Sequence, residues 1–132
     1  MSTTIKLNFC SLEIFKKNKI VIGTVNEGVH LTPELSETIV LTVFKHLGDY
    51  PMVYITNRVN SYSIDPTLYT NISKIKNIIG FGVVCNKTRK TEISEIEKLF
   101  YKNKFKLFET MDNAMFWAIK TLEHNAIRAQ IS

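Results

Sequence analysis

Nucleophiles, bases and metal ligands are sparse in this chain. The three histidines, His30, His46 and His124, and the two cysteines, Cys10 and Cys85, are spread along all 132 residues. Nucleophilic catalysis needs a nucleophile, a base within hydrogen-bond reach and a group that orients the base. The pattern predicts His30 in a loop, His46 on a helix surface and His124 near a frayed helix end, so the three do not converge. Zinc requires Cys and His at close spacing, which two isolated cysteines do not supply. Gly23, Gly28, Gly48, Gly80 and Gly82 form neither a phosphate loop nor a dinucleotide fingerprint ahead of a helix. The expectation is no catalytic residue, no metal, no cofactor, and no turnover.

Anion binding is the chemistry that the loops can support. In open α/β sheets ligands collect outside the carboxyl ends of the parallel strands, where loops and helix N-termini present free N–H groups. Here that edge carries Asn57 and Arg58 after one strand and Asn86-Lys87-Thr88-Arg89 after the next. Arg58, Lys87 and Arg89, with Asn57 and Asn86, are the candidate anion site. Nucleic acid is not an expected partner, despite a net charge of +5 and a pI of about 9.2. Of 17 basic residues 14 are Lys, scattered among Glu residues, whereas Arg is the better bidentate partner for phosphates and bases.

A chain that is 45% hydrophobic and 22% charged, with no linker, reads as a single domain over 1–132. That length buries roughly two-thirds of the unfolded surface. The N-terminus lacks a basic-then-apolar leader, and no apolar run approaches the ~20 residues a bilayer needs, so a soluble, cytoplasmic protein without membrane insertion is expected. Cys10 and Cys85 fall in strands far apart in sequence and read as reduced, packed thiols.

The elements that must position these residues follow from periodicity. Ile78-Ile79-Gly80-Phe81-Gly82-Val83-Val84-Cys85 is an apolar run without polar alternation, which requires both faces covered and places it inside a mostly parallel sheet. Residues 5–15 alternate with one phase slip near Cys10 and Ser11, predicting one half-buried strand with a bulge. After a polar turn at Lys16–Lys19, the β-branched run 20–25 completes a hairpin. Thr32-Pro33-Glu34 opens a helix with a cap, a proline at the first helical position and an acid in the first turn. Its apolar stripe is Leu35, Ile39, Val40, Phe44 and Leu47, and Gly48 closes it. Strands at 52–56 and 105–108 flank a helix capped by Asp65-Pro66, the run 78–85, and a third helix from Thr91 to Asn103. A last helix after Thr110 buries Ala114, Trp117, Ala118 and Leu122 and is expected to fray after Asn125. The predicted architecture is a single mixed, mostly parallel five-stranded α/β sheet of order β-β-α-β-α-β-α-β-α with an N-terminal antiparallel hairpin. Gly80 and Gly82 are expected to admit a packed helix or aromatic ring.

The element order, the Thr-Pro-Glu helix entry and the closing Phe108-Glu109-Thr110-Met111-Asp112-Asn113-Ala114-Met115-Phe116-Trp117-Ala118 resemble the SpoIIAA-like branch of the STAS fold. The resemblance implies a non-enzymatic regulatory or ligand-sensing module. It also implies a candidate phosphoacceptor: anti-sigma-factor antagonists carry a serine in an Asp-Ser-x-Gly motif after the third strand. The equivalent stretch is Asn60-Ser61-Tyr62-Ser63, so Ser61 is that candidate, with Asn60 in place of the acid and Ser63 in place of the glycine. The expected partners are a protein or a second copy of the chain through a helix-mediated contact, and a small anionic or apolar ligand. A small enzyme with its site at the carboxyl edge is the alternative.

Overall fold

The computed structural model describes residues 1–86, 98, 100 and 104–131. In chain order the described elements are β1 (Thr3–Lys6), β2 (Cys10–Phe15), β3 (Ile20–Val25), β4 (His30–Leu31), α1 (Pro33–Leu47), β5 (Met52–Asn57), β6 (Ser63–Ile64), α2 (Thr67–Ser73), β7 (Ile78–Val84), β8 (Phe105–Phe108) and α3 (Met111–Ile131). The main sheet runs β1-β2-β3-β5-β7-β8, antiparallel through β3 and parallel from there on. A separate two-stranded parallel sheet joins β4 to β6. The architecture is the expected mixed α/β sheet with an N-terminal antiparallel hairpin.

The apolar run of β7 lies between β5 and β8, which explains its lack of alternation. Each sheet face carries its own core. Met52 and Tyr54 of β5 and Phe81 and Val83 of β7 point toward α1 and α2, while Val53, Ile55 and Val84 meet Ala114, Ala118 and Trp117 of α3. On α1 the buried face is Ser36, Ile39, Val43 and Leu47, with Leu35, Val40 and Phe44 half-buried beside it. The Thr32 hydroxyl accepts from the Leu35 N–H, and the N–H of Gly48, at φ 70°, donates to the Phe44 carbonyl.

Three details differ from the sequence reading. Residues 5–15 form two strands instead of one bulged strand: β1 turns back at Leu7–Phe9 and pairs with β2, the Leu7 N–H donating to the Cys10 carbonyl at 2.8 Å. The sheet therefore has six strands. A turn and a bulge produce the same phase slip, which is why the two look alike in sequence. The sheet edge at this end is β1, short and mostly polar, and the lysines at 16–19 sit in the β2–β3 turn. The last helix continues past Asn125 to Ile131, because Ala126, Arg128, Ala129 and Gln130 are good helix formers with no Gly or Pro among them. Lys104 is not a solvated surface lysine, since its Nζ donates to the Ser73 and Ile75 carbonyls at the end of α2. The helix expected from Thr91 lies outside the described residues.

Among the described residues no helix is long and apolar enough to cross a membrane.

Candidate functional site

Along β5 the side chains alternate, and on the α1 side the sequence places Tyr54 and Thr56 where a strand between two others would ordinarily carry aliphatics. Tyr54 fits there because Gly23 on neighbouring β3 has no side chain: a methyl group at Gly23 would overlap the Tyr54 hydroxyl. The tyrosine ring stacks on Phe81 at 5.6 Å, and Tyr69 of α2 meets Phe81 edge-on at 6.1 Å. These rings leave a small, partly open cavity of about 40 Å³ between the sheet and the two helices. Ile39 and Val43 of α1 and Leu68 and Ile72 of α2 supply apolar wall, while Tyr54, Tyr62, Tyr69, Thr56 and Ser36 bring hydroxyl-bearing side chains to it. Tyr54 keeps some accessible surface because its ring faces that space.

Burial dominates the electrostatics. Desolvation raises the Tyr54 and Tyr69 phenols well above their ordinary value, with neighbouring ionisable groups adding to the effect, and Arg58 pulls Tyr69 back a little. The Cys10 thiol behind Tyr54 is pushed up to about 11 by the same cause. Thr56 and Tyr62 meet at the carboxyl end of the cavity, hydroxyl to hydroxyl at 3.4 Å.

Arg58 stands at that end. Its backbone N–H donates to the Val84 carbonyl at 2.9 Å, locking the ends of β5 and β7 together. The side chain turns inward, only 9% exposed, with its guanidinium carbon 4.7 Å from the centre of the Tyr62 ring. Nη2 donates to the Tyr62 carbonyl at a long 3.4 Å, and the buried Nε has no partner. No carboxylate among the described residues pairs with it. A buried guanidinium without a counter-ion is costly unless something else satisfies it.

The loops at this edge are stitched together. The Glu27 carboxylate accepts the Ser61 N–H at 2.8 and 3.1 Å, the Gly28 N–H donates to the Ser61 carbonyl, and Asn60 Nδ2 donates to the Val25 carbonyl at 2.9 Å. His30 Nδ1 lies 2.7 Å from Ser63 Oγ, so a base and a hydroxyl do come together, contrary to the sequence expectation. The pair is exposed, and the nearby acid Asp65 is taken up by the Thr67 N–H and hydroxyl at the start of α2. Neither residue lines the cavity.

Of the expected anion site, Asn57 and Arg58 sit at the end of β5 and Asn86 is exposed two residues beyond β7. Lys87 and Arg89 lie outside the described residues. Ser61 is exposed in the loop before β6, and α2 begins at Thr67, so a helix N-terminus does not start at Ser61. The cavity hydroxyls were not anticipated; the signal available was the Tyr54–Thr56 pair opposite Gly23. Among the described residues no group of three metal-ligating side chains gathers.

No family model and no curated protein matches the sequence. Among solved structures, an uncharacterised protein of the DUF3478 family from Shewanella loihica PV-4, described as having a SpoIIAA-like fold, is similar. It covers 89% of this chain and 95% of its own, with a TM-score of 0.56 and 12% identity. At that identity the likeness shows the fold alone, and this chain has a SpoIIAA-like fold.

Proposed function

We propose that the protein works by association without turnover, as a ligand- or partner-binding regulatory module of STAS type. The observation that carries this reading is the cavity between α1, α2 and the sheet, an apolar volume into which a few hydroxyl groups converge, as small-molecule sites commonly do. Cys10 and Cys85 are buried and not disulfide-bonded, which fits a reducing compartment, so the reading includes a cytoplasmic protein. Native mass spectrometry of the purified protein tests it. The expected outcome is a non-covalent adduct lost on denaturation, or a melting temperature raised by small molecules in a screen. A bare mass with no thermal shift from any apolar or anionic probe counts against it.

Self-association is part of the same proposal. Phe116, Ile127 and Ile131 stand exposed on α3, and a helix-mediated homodimer would cover them. Light scattering across micromolar concentrations reads this directly, a strict monomer removing the claim.

The close approach of His30 to Ser63 favours one second reading, a small hydrolase at the carboxyl edge. Its mark would be an esterase activity abolished equally by Ser63→Ala and His30→Ala.

A further inference from the structure

We infer that the outward face of α3 is a self-docking surface on which two copies of the chain pair their α3 helices antiparallel across a two-fold axis, Phe116 of one helix opposite the partner's Ile127. The inference deepens the self-association in the proposed function and rests on it.

α3 is apolar on two opposite faces. Ala114 and Ala118, with the half-buried Trp117 and Leu122, meet the sheet. On the far side Phe116, Ile119, Ile127 and Ile131 are 65%, 37%, 56% and 81% exposed. Their spacing in the sequence, three, then eight, then four residues, keeps all four in one stripe of the helix. A helix that lies on a sheet with only water behind it carries polar residues on its outer face, so a second apolar stripe is the pattern of a helix covered on both sides. The end of α3 agrees with that. Every residue from Ala126 to Ile131 is exposed, and helices in proteins draw most of their stability from packing, which a second helix alongside supplies.

The partner that fits is a second copy. In a two-fold contact residue i meets j and j meets i, so a single stripe must complement itself. The antiparallel register that sets Phe116 opposite the partner's Ile127 also sets Lys120 opposite the partner's Glu123. These two are the charges in the middle of the stripe and are opposite in sign. Within their own helix they stand 3.7 Å apart, with Lys120 Nζ 5.6 Å from the centre of the Phe116 ring. Across the axis they gather into a neutral cluster of two lysines and two glutamates, flanked on each side by an apolar pair. A parallel arrangement would instead oppose Lys120 to the partner's Lys120 and Glu123 to the partner's Glu123, and opposed like charges are unfavourable. One helix per protomer is a small interface, so the dimer is reversible and depends on concentration.

The test uses the full chain. In light scattering across micromolar concentrations, Phe116→Ser and Ile127→Ser are each expected to weaken dimerisation roughly tenfold or more while leaving the melting temperature unchanged, because both side chains are exposed. Leu41→Ser, equally exposed on α1, should change neither. Orientation is read with Asn113→Cys and Gln130→Cys and a short bismaleimide crosslinker, since both positions are exposed and the native Cys10 and Cys85 are buried. In the antiparallel register position 113 stands opposite the partner's position 130. The two variants mixed should therefore crosslink, and neither should do so alone, because its two copies lie about 25 Å apart along the helix. No crosslink in the mixture, or a crosslink in either variant alone, would overturn the antiparallel register and leave self-association standing. A wild-type dimer untouched by Phe116→Ser would move the contact off α3 and overturn the inference in the same way. A strict monomer removes both the inference and the self-association on which it rests.

Discussion

Trp117 packs directly against Gly80: a methyl group added to that glycine would come within 3.0 Å of Cη2 of the indole and 3.2 Å of the Val53 side chain. Gly82 offers Cζ3 the same 3.0 Å approach, and Phe108 closes the other side at 5.3 Å between ring centres. Two side-chain-free positions on one face of β7 thus make the floor on which α3 docks.

Gly80→Ala should accordingly cost about 1–2 kcal/mol by overpacking, even though alanine restricts the unfolded chain more than glycine. Trp117→Ala should cost about 3 kcal/mol, the low end for a large aromatic, because the indole keeps an exposed edge. In a Trp117→Leu background Gly80→Ala should become nearly neutral. Urea melts of the four variants complete the cycle, and additive losses would show that the two residues do not touch in solution.

How much of this was legible in sequence depends on the length of the signal. The β7 run declared its position because seven apolar residues in a strand leave no exposed face, and Gly80 and Gly82 declared a close approach. The β4–β6 pair, two residues each, is too short for any periodicity and exists only because its flanking loops meet. Arg58 is the instructive case. An arginine after a strand is by default a surface residue, and nothing local in Asn57-Arg58-Val59 says that its side chain turns under Tyr62.

That burial carries its own stability signature. Where a paired buried charge loses its partner, stability drops; where an unpaired one is replaced by an apolar group of similar length, the desolvation penalty goes with it. Arg58→Met should therefore leave the free protein unchanged or more stable by about 1 kcal/mol, in chemical denaturation at pH 7. A loss above about 2 kcal/mol would mean that the guanidinium's contacts with the Tyr62 carbonyl and ring outweigh its desolvation.

Alkali should unfold this protein earlier than its lysine content suggests. The Cys10 thiol rises from an ordinary 9.0 to about 11, and Tyr54 and Tyr69 rise above an ordinary 10.0. In each case the folded state keeps a proton that the unfolded chain releases. The stability from these groups is complete below pH 9 and drains away as pH climbs, through 9 to 11 for Cys10 and from 10 upward for the tyrosines. Stability from urea melts at pH 8 and pH 10.5 should differ by about 3–4 kcal/mol, at ~1.4 kcal/mol per proton per pH unit. Cys10→Ala should flatten the part of the slope that begins near pH 9.

Ser61 offers a charge test of the carboxyl-edge loops. Its N–H already holds both oxygens of the Glu27 carboxylate, and this contact ties the loop after β3 to the loop after β5. A phosphate on Ser61 would bring about −1.5 to −2 of charge against that carboxylate, and like charges at this distance push the loops apart. Ser61→Glu should thus lower the melting temperature by about 2–4 °C, in keeping with a repulsion below 1 kcal/mol, while Ser61→Ala, which leaves the backbone N–H in place, should change it little. Glu27→Gln removes the repelling charge, so on that background Ser61→Glu should cost less than it does alone. Equal losses on both backgrounds would mean that the glutamate acts by disturbing the loop's shape and that charge at Ser61 is not felt by Glu27.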